Sequence, residues 1–242
     1  MHKKIVFKNL PKHLAVIMDG NGRWAKNRNL ERIEGHIQGI MALKRLLKST
    51  MEFGIKYVTA FAFSSENWQR SKKEVDALMN LLEKYIKLEL PNLIRNKICL
   101  KVIGNIEKLP VSTKKILQDA TYQTSRFNDF FLTLALSYGS REEILSAAIH
   151  IAEDFKKGII KNKNVIQEGF FASYLYGGDI PNPDFLIRTS GEKRVSNFML
   201  WQIAYTEIYF TKTLWPDFGR KHLITALKNY ETRVRRFGKA EI

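Results

Sequence analysis

The sequence has little or none of what several protein classes require. Its 242 residues include one cysteine, Cys99, so no intramolecular disulfide can form. Cys99 lies in the apolar run Ile98–Ile103, which predicts a buried small hydrophobic residue in a reducing cytoplasm. No stretch approaches the ~20 apolar residues of a membrane span. Residues 1–11 are basic but lack an apolar stretch of signal-peptide length, so we expect a soluble protein that can visit a membrane surface.

Motifs of several common enzyme classes are also absent. The chain has no G-x-x-x-x-G-K-[ST] loop and no G-x-S-x-G nucleophile motif. Its five histidines show no metal-binding spacing with one another or with cysteine. Residues 20–25 match the G-x-G-x-x-A dinucleotide pattern, but the acidic residue expected about 20 positions later is missing, since the next predicted strand begins only at Tyr57. A nicotinamide or flavin role is therefore not expected.

The charge balance is strongly positive. Lysine and arginine number 40 against 24 acidic residues, a formal net charge of +16. Such a chain attracts anions, whether nucleic acid, anionic lipid or phosphorylated substrates. The basic residues are scattered rather than gathered in one arm, so a lysine-rich solvated surface explains them equally well. Charge alone does not argue for nucleic acid.

Apolar runs of strand length alternate with helical spacing along the whole chain. Strands are predicted at residues 13–18, 57–63, 98–103, 131–137, 183–188 and 207–210, and helices at 37–53, 74–93, 111–126, 141–157, 167–176 and 220–236. Pro91 should bend or end the second of these helices. Alternation with short links indicates an α/β fold, a parallel sheet covered by helices. With no internal repeat or long linker, we expect one domain.

Three polar clusters follow predicted strands, at residues 19–24, 64–70 and 188–196. Ligands of open α/β sheets bind at the carboxyl ends of the strands, so these clusters are the candidate site. Together they hold at least four arginines, several hydroxyls, two amides and carboxylates. That inventory suits a highly charged phosphate ligand with a metal ion.

The first cluster, from Asp19 to Trp24, illustrates this chemistry. Gly20 and Gly22 let backbone N–H groups turn toward phosphate oxygens, and Arg23 can fork onto them. Asp19 would repel a bare phosphate, but Mg²⁺ typically takes one or two carboxylates plus substrate phosphates. A tight turn capped by Asp19 is the structural alternative.

Residues 13–25, HLAVIMDGNGRWA, resemble the opening signature of the cis-prenyltransferases, the undecaprenyl diphosphate synthase family. Later blocks of the same family are matched at residues 35–36, 61–68, 184–202, 215–218 and 235–238. The resemblance implies one domain over residues 1–242 with a flexible segment at 1–12. It also implies a mainly parallel six-stranded sheet surrounded by helices, a deep apolar tunnel and a homodimer.

The activity implied by the resemblance is a Mg²⁺-dependent transfer. Such an enzyme condenses isopentenyl diphosphate onto an allylic diphosphate, here expected to be farnesyl diphosphate, in the cis configuration. The expected product is a long polyprenyl diphosphate, undecaprenyl diphosphate, for the lipid carrier of cell-wall peptidoglycan synthesis. The product would be delivered to the membrane by a cytoplasmic enzyme that can act peripherally at its inner surface, and no nucleic-acid partner is expected.

The family pattern also implies a role for each matching residue. Asp19 resembles the acid that helps to bind Mg²⁺, and Glu207 the second metal ligand, reached from the dimer partner's side. The expected allylic diphosphate site contains Gly20, Asn21, Gly22, Arg23, Arg32, His36 and Arg70. The expected isopentenyl diphosphate site contains Arg188, Arg194, Val195 and Ser196. Trp24 and Trp68 resemble aromatic residues near the two substrates, and a mobile loop carries Ser64, Ser65, Glu66 and Asn67.

Several of these assignments have alternatives. Asn67 matches the family's proposed proton acceptor, but an amide is a very weak base, so an orienting role fits its chemistry better. His36 could pack on its own helix, the two tryptophans could be core residues, and Glu207 could be a surface acid. Residues 137–140, Ser-Tyr-Gly-Ser, depart from the family's more frequent Asn-Tyr-Gly-Gly.

Two other functions remain open from the sequence. One is a non-catalytic family member that assists a catalytic partner subunit, although every charged position named above is filled here. The other is a nucleic-acid-binding protein, which would bind with a steep salt dependence and transfer no prenyl group.

Overall fold

A computed structural model describes the chain over residues 6–234. Six strands and seven α-helices alternate along these residues. The strands are β1 (His13–Ile17), β2 (Tyr57–Ser64), β3 (Ile98–Ile103), β4 (Phe130–Tyr138), β5 (Phe185–Arg188) and β6 (Glu207–Phe210). The helices are α1 (Asn21–Lys26), α2 (Arg32–Phe53), α3 (Lys72–Arg95), α4 (Val111–Thr124), α5 (Ser140–Lys156), α6 (Glu168–Ser173) and α7 (Arg220–Glu231). The sheet order is β3-β4-β2-β1-β5-β6.

The predicted α/β fold with a six-stranded parallel sheet is confirmed. β1 pairs with β5, β5 with β6, and β3 with β4, each in parallel. All five residues of β1 and all four of β5 are buried, as expected for parallel strands with both faces covered. The apolar tunnel, the single domain and the flexible first twelve residues stay predictions.

Contacts between Cα atoms divide the described residues into two compact units. The first comprises residues 6–58, Pro183–Arg194 and residues 203–234. It holds β1, β5 and β6 with α1, α2 and α7. Trp215, fully buried, donates its indole N–H to the backbone oxygen of Gly39 on α2 at 2.8 Å. Nearby, α1 lies against α2 at Gly35, where an added Cβ would overlap the backbone oxygen of Asn21. This close approach seats the turn after β1 on α2.

The second unit comprises Thr59–Asn182 and Val195–Gln202, and it holds most of β2 together with β3, β4 and α3 to α6. β3 is the outermost strand of the sheet on its side. Its Leu100 N–H donates to Thr124 Oγ1 on α4 at 3.1 Å, and the same hydroxyl donates to the Ala120 backbone oxygen at 2.8 Å. The hydroxyl is fully buried and joins the helix to the edge of the sheet.

All six predicted helices differ from their predicted bounds by at least one residue, and α2, α3 and α7 show why. α2 begins at Arg32 rather than at residue 37. Its first turn carries polar residues such as Glu34, which suit a helix N-terminus. These residues give no apolar pattern, so the predicted helix started too late. α3 continues through Pro91 to Arg95, so the proline does not end it, and Leu93 in the last turn is buried. α7 ends at Glu231, and residues 235–236 of its predicted span lie outside the described residues. None of the helices within residues 6–234 is both long and apolar enough to cross a membrane.

Candidate active site

The first polar cluster lies where β1 and β5 end side by side. Ile17 is opposite Arg188 in the parallel register, so the residues after each strand emerge at the same edge. Thr189 joins the two tails: its hydroxyl accepts from Asp19 N–H at 3.0 Å and donates to the Asp19 backbone oxygen at 2.7 Å. Asp19 and Arg188 are thereby neighbours although 169 residues separate them.

A charge pair occupies the centre of this first cluster. Asp19 Oδ2 accepts from Arg188 Nη2 at 2.9 Å, and Asp19 Oδ1 lies 3.5 Å from Arg23 Nη2. Partial burial opposes ionisation of Asp19, but hydrogen bonds from Arg188 and Ser190 and the charges of Arg188 and Arg23 outweigh it and lower the pKa of the carboxyl group. The Arg188 side chain is only 5% exposed. The site therefore presents an ionised carboxylate beside a buried, oriented guanidinium.

Arg23 and Arg194 are held by residues of the segment after β5. Arg23 donates to the Ser190 backbone oxygen at 3.1 Å and to Ser190 Oγ at 2.5 Å. Glu192 lies 3.4 Å from Arg23 and accepts from Arg194 at 2.5 Å. The Arg194 backbone oxygen in turn accepts from Arg188 at 2.6 Å. Arg23 and Arg194, 47% and 62% exposed, are accessible to an anion, whereas Arg188 is not.

Glycine is required in the turn between β1 and α1. Gly20 has φ +108°, and a Cβ there would meet Leu214 Cδ2 at 2.9 Å and Ser190 Cβ at 3.1 Å. Both backbone conformation and space thus exclude a side chain. Gly20 consequently lets the turn after Asp19 pack closely against Ser190, the residue that binds Arg23.

The first two turns of α2 bring Arg32 and His36 onto the Asn21–Gly22 turn. The Arg32 Nε atom lies 3.3 Å from where a Gly22 Cβ would stand. His36 Nδ1 is 3.5 Å from Asn21 Nδ2. The Asn21 Oδ1 atom is buried against Gly39 and accepts no hydrogen bond from the described residues. Asp19, Arg23, Arg32 and His36 are therefore brought to the same turn.

Trp24 and Glu207 have partners of their own. Trp24 donates its indole N–H to Asp217 at 2.7 Å and carries the Arg28 guanidinium 4.2 Å from its ring centre. Glu207 on β6 accepts from Arg233 at 2.7 Å. No group of three metal-binding side chains of the His, Cys, Asp or Glu type occurs within residues 6–234. A substrate role for Trp24 and a metal role for Glu207 stay predictions.

The second polar cluster lies in the other unit, where β2 ends in a 3-10 helix, Ser65–Gln69. Asn67 Oδ1 accepts from Ser64 N–H at 3.1 Å, half of a capping box that closes this turn. Trp68 donates its indole N–H to Ser137 Oγ at 2.9 Å and packs edge-on against Phe63. Arg70 pairs with Glu74 on α3 at 2.8 Å. Asn67 is thus engaged in shaping the turn.

Glu66 connects this turn to the segment that carries Val195 and Ser196. Its Oε1 accepts from Asn197 Nδ2 at 3.1 Å. Partial burial opposes ionisation of Glu66, but the bonds from Asn197, its own backbone N–H, Ser64 and Ser65 lower its pKa. The turn after β2 therefore lies beside the segment that contains Asn197 and, directly before it, Val195 and Ser196.

Sequence reasoning assigned no role to several residues of the two clusters. Thr189 holds the Asp19 backbone, Ser190 and Glu192 orient the arginines, and Asn197 and Ser137 hold the second cluster. The first three lie inside the polar cluster at 188–196, so their position signalled involvement. Thr189 and Ser190 bond Asp19 and Arg23, which lie more than 160 residues away, and no local pattern identifies such pairs.

Comparison with known proteins agrees with this geometry. The family model "Putative undecaprenyl diphosphate synthase" matches residues 17–238. The chain belongs to this family. It is 51% identical to an isoprenyl transferase of Geobacter sulfurreducens over 95% of this chain and 93% of that protein. A crystal structure of lavandulyl diphosphate synthase from Lavandula x intermedia in complex with dimethylallyl diphosphate superposes with a TM-score of 0.91 at 38% identity, over 95% of this chain and 98% of that one.

A second structure of the undecaprenyl diphosphate synthase family is similar. It is described as a probable undecaprenyl diphosphate synthase from Campylobacter jejuni, with a TM-score of 0.79 at 33% identity, over 96% of this chain and all of that one. The predicted family is confirmed, and with it membership of the cis-prenyltransferase enzymes, which elongate prenyl chains.

Proposed function

We propose that this protein condenses isopentenyl diphosphate onto an allylic diphosphate, with farnesyl diphosphate as the primer, to give undecaprenyl diphosphate for the lipid carrier of the cell wall. The observation that carries the proposal is the cluster of Asp19, Arg23 and Arg188 at the ends of two paired strands. The related lavandulyl diphosphate synthase was crystallised with dimethylallyl diphosphate, an allylic diphosphate, which supports this substrate class. That protein is named for a different product, so the fold alone does not decide which product the two substrates form.

The arginines would provide most of the electrostatic stabilisation of the leaving diphosphate. When the allylic C–O bond ionises, negative charge develops on the leaving diphosphate, and guanidinium groups stabilise it best when they are already oriented. Arg23 and Arg32 flank the Gly20–Gly22 turn and suit the allylic diphosphate. Arg194, whose side chain is largely exposed, suits the diphosphate of isopentenyl diphosphate, and Arg188 orients both Asp19 and the Arg194 backbone.

The residues fit a magnesium ion that arrives with a diphosphate. Asp19 is an ionised, half-buried carboxylate, and Mg²⁺ favours one or two carboxylates together with substrate phosphates. Asp19 would hold it, with Glu207 as the proposed second ligand, and the ion would neutralise charge on the leaving diphosphate. Arg23 and Arg188 both face the Asp19 carboxylate, so an incoming diphosphate would have to compete with Asp19 for their guanidinium groups.

Asn67 is proposed as an orienting residue rather than a base. Its amide oxygen already accepts from Ser64 N–H, and an amide has no pKa near neutral pH at which to take a proton. The proton lost from isopentenyl diphosphate would then pass to a diphosphate oxygen or to His36. Asn67 would keep the loop of Ser65 and Glu66 in place.

A homodimer is proposed from an apolar strip on α5. Leu145 and Ile149 are 62% and 50% exposed and lie one turn apart on the same face of the helix. Contiguous exposed apolar patches commonly mark protein interfaces. A second copy of the chain is the proposed occupant, and it would supply Glu207 to the metal.

One assay tests the proposed function. Purified protein is incubated with radiolabelled isopentenyl diphosphate, farnesyl diphosphate and Mg²⁺, and the product is analysed for chain length. A long product dependent on the primer is expected, whereas wild-type protein that transfers no label would favour a non-catalytic family subunit. Retention of nucleic acid without transfer would instead support nucleic-acid binding.

Two arginine variants should separate the diphosphate sites. We expect Arg194→Ala to raise the KM for isopentenyl diphosphate and Arg32→Ala to raise that for the allylic substrate. Loss of a charge-assisted contact typically costs ~1.5–3 kcal/mol, roughly ten- to a hundredfold in affinity. Steady-state kinetics with each substrate varied in turn measures the effect. Equal losses for both substrates in both variants would contradict the assignment.

Product length should respond to bulk at Ala62. This residue of β2 is exposed, between Phe61 and the buried Phe63, so a leucine can be accommodated without unfolding the strand. If prenyl units pass this point, Ala62→Leu should stall elongation and accumulate short intermediates, while Ala62→Ser, similar in size, should keep the normal profile. Thin-layer analysis of products provides the measurement. An unchanged profile for folded Ala62→Leu would remove Ala62 from the path of the chain.

A further inference from the structure

The segment after Arg194 has a strained backbone. Ser196, Asn197 and Met199 have φ values of +49°, +60° and +49°, three left-handed conformations without glycine in four positions. Such conformations are unfavourable for residues other than glycine and persist only where the surrounding structure holds them. Asparagine is among the residues that tolerate this conformation best. Contacts outside the segment must therefore maintain its shape.

Asn197 caps a helix that has no cap of its own. The N-cap residue of α5 is Gly139, which offers no side chain to the first N–H groups. The Asn197 backbone oxygen accepts from Ser140 N–H at 2.8 Å, and Asn197 Oδ1 accepts from Arg141 N–H at 2.9 Å. Two donors of the first turn of α5 are satisfied by one residue distant in sequence.

The remaining hydrogen-bonding group of the Asn197 side chain holds the turn after β2. Its Nδ2 donates to Glu66 Oε1 at 3.1 Å, so the same amide bridges the first turn of α5 and the turn after β2. The space around this bridge is filled: a Cβ on Gly139 would overlap Ser65 Oγ and come within 2.8 Å of Asn197 Nδ2. The three segments are thus packed against one another at this point.

Two further contacts fix the segment downstream of Asn197. Phe198 is fully buried and stacks on Phe61 of β2 with ring centres 4.4 Å apart. Leu200 N–H donates to Ser140 Oγ at 2.9 Å. Ser140 is one of the positions at which this chain departs from the family's more frequent glycine, and its hydroxyl supplies a bond that glycine could not. The segment is therefore anchored at Asn197 and downstream of it.

We propose that Asn197 is a positioning residue, which ties the Glu66 loop to the first turn of α5 and so sets the shape of the segment that presents Val195 and Ser196 to substrate. The kinetic part of this proposal rests on the proposed function, since Ser196 is assigned to isopentenyl diphosphate. Asn197 itself acts through its neighbours and is not assigned a contact with the reacting atoms.

Exchanging the two side chains tests the bridge without reference to activity. Asn197→Asp keeps the cap on Arg141 N–H but places a carboxylate against Glu66, so amide hydrogen exchange should speed up in residues 64–70, roughly three- to tenfold for a partly exposed contact. Adding Glu66→Gln restores the hydrogen bond in the opposite direction, with the glutamine amide at position 66 donating to the carboxylate at position 197. The double variant should return toward the wild-type exchange rate.

Asn197→Gly provides the matched control for the cap. Glycine adopts the left-handed backbone without strain but loses every side-chain contact, so exchange should speed up both in residues 64–70 and at Arg141. Ser140 N–H keeps its bond to the backbone oxygen of residue 197. In Asn197→Asp only residues 64–70 should change. Wild-type exchange in Asn197→Asp, or a double variant whose loop exchanges as fast as Asn197→Asp, would overturn the proposal.

Kinetics then tests the consequence for substrate. We expect Asn197→Asp to raise the KM for isopentenyl diphosphate roughly three- to tenfold while leaving that for the allylic diphosphate unchanged, with partial recovery in the double variant. An equal rise for both substrates would contradict a specific positioning role. If the wild-type protein transfers no prenyl group, the proposed function fails while the exchange experiment still decides whether the bridge exists.

Discussion

Asp19→Asn should lower turnover by roughly two to three orders of magnitude, the usual loss when an oriented electrostatic group is removed from an active site. Asparagine keeps the size of the side chain and an oxygen that can accept from Arg188, but it removes the negative charge proposed to hold Mg²⁺. Initial rates with saturating substrates and a Mg²⁺ titration measure the effect. The requirement for Mg²⁺ should shift to higher concentration or disappear.

Asp19→Ala would be harder to interpret, because we expect it to lower the stability of the fold as well as turnover. It would leave the buried Arg188 guanidinium without its carboxylate partner, and breaking a buried pair in this way is typically costly in stability. Asp76→Ala is the matched control, because that carboxylate forms an exposed pair with Lys72 and should keep normal turnover. Near-normal turnover of a folded Asp19→Asn variant would contradict the metal role.

Gly35→Ala should destabilise the fold and reduce activity together. In an open helix the change would gain up to ~1 kcal/mol of helix propensity. At Gly35, however, the new Cβ would overlap the backbone oxygen of Asn21 and stand 2.8 Å from its carbonyl carbon, so α1 must move off α2. Overpacking of this kind typically costs ~1–3 kcal/mol, and it would shift the turn that carries Gly22 and Arg23.

Gly169→Ala is the control for this glycine. Gly169 also lies in a helix, α6, but no atom lies within 4 Å of where its Cβ would be. Its variant should keep wild-type stability or gain slightly. Urea denaturation of both variants beside the wild type gives the comparison, and a Gly35→Ala variant as stable as Gly169→Ala would show that α1 and α2 do not pack as described.

The sequence predicts the elements of the fold better than the contacts of the site. Strand and helix periodicity located all six strands, and the polar clusters were expected at their carboxyl ends. Asp19 and Arg188 were both named, but their pairing depends on the parallel register of β1 and β5, which no local spacing encodes. The same limit explains why Asn197 was missed, since its three partners are Glu66 in the turn after β2 and Ser140 and Arg141 on α5.

Local chemistry also competed with the patterns. The start of α2 carries polar residues that belong to the candidate site, so the apolar pattern placed the start of the helix five residues after its true start at Arg32. Pro91 removes one hydrogen bond in the last turns of α3, but Leu93 beyond it is buried, and the helix continues. Functional demands and tertiary packing thus overrode propensity at particular positions.

The bond between Thr124 and the outer strand β3 has a consequence for the protein in a crowded cell. An unprotected strand edge offers a row of hydrogen-bonding groups on which a foreign strand can assemble. Here the Leu100 N–H, midway along β3, is already taken by a buried hydroxyl that also bonds its own helix. A foreign strand approaching this edge would find its ladder interrupted, so the helix that covers the sheet also protects it against misassembly.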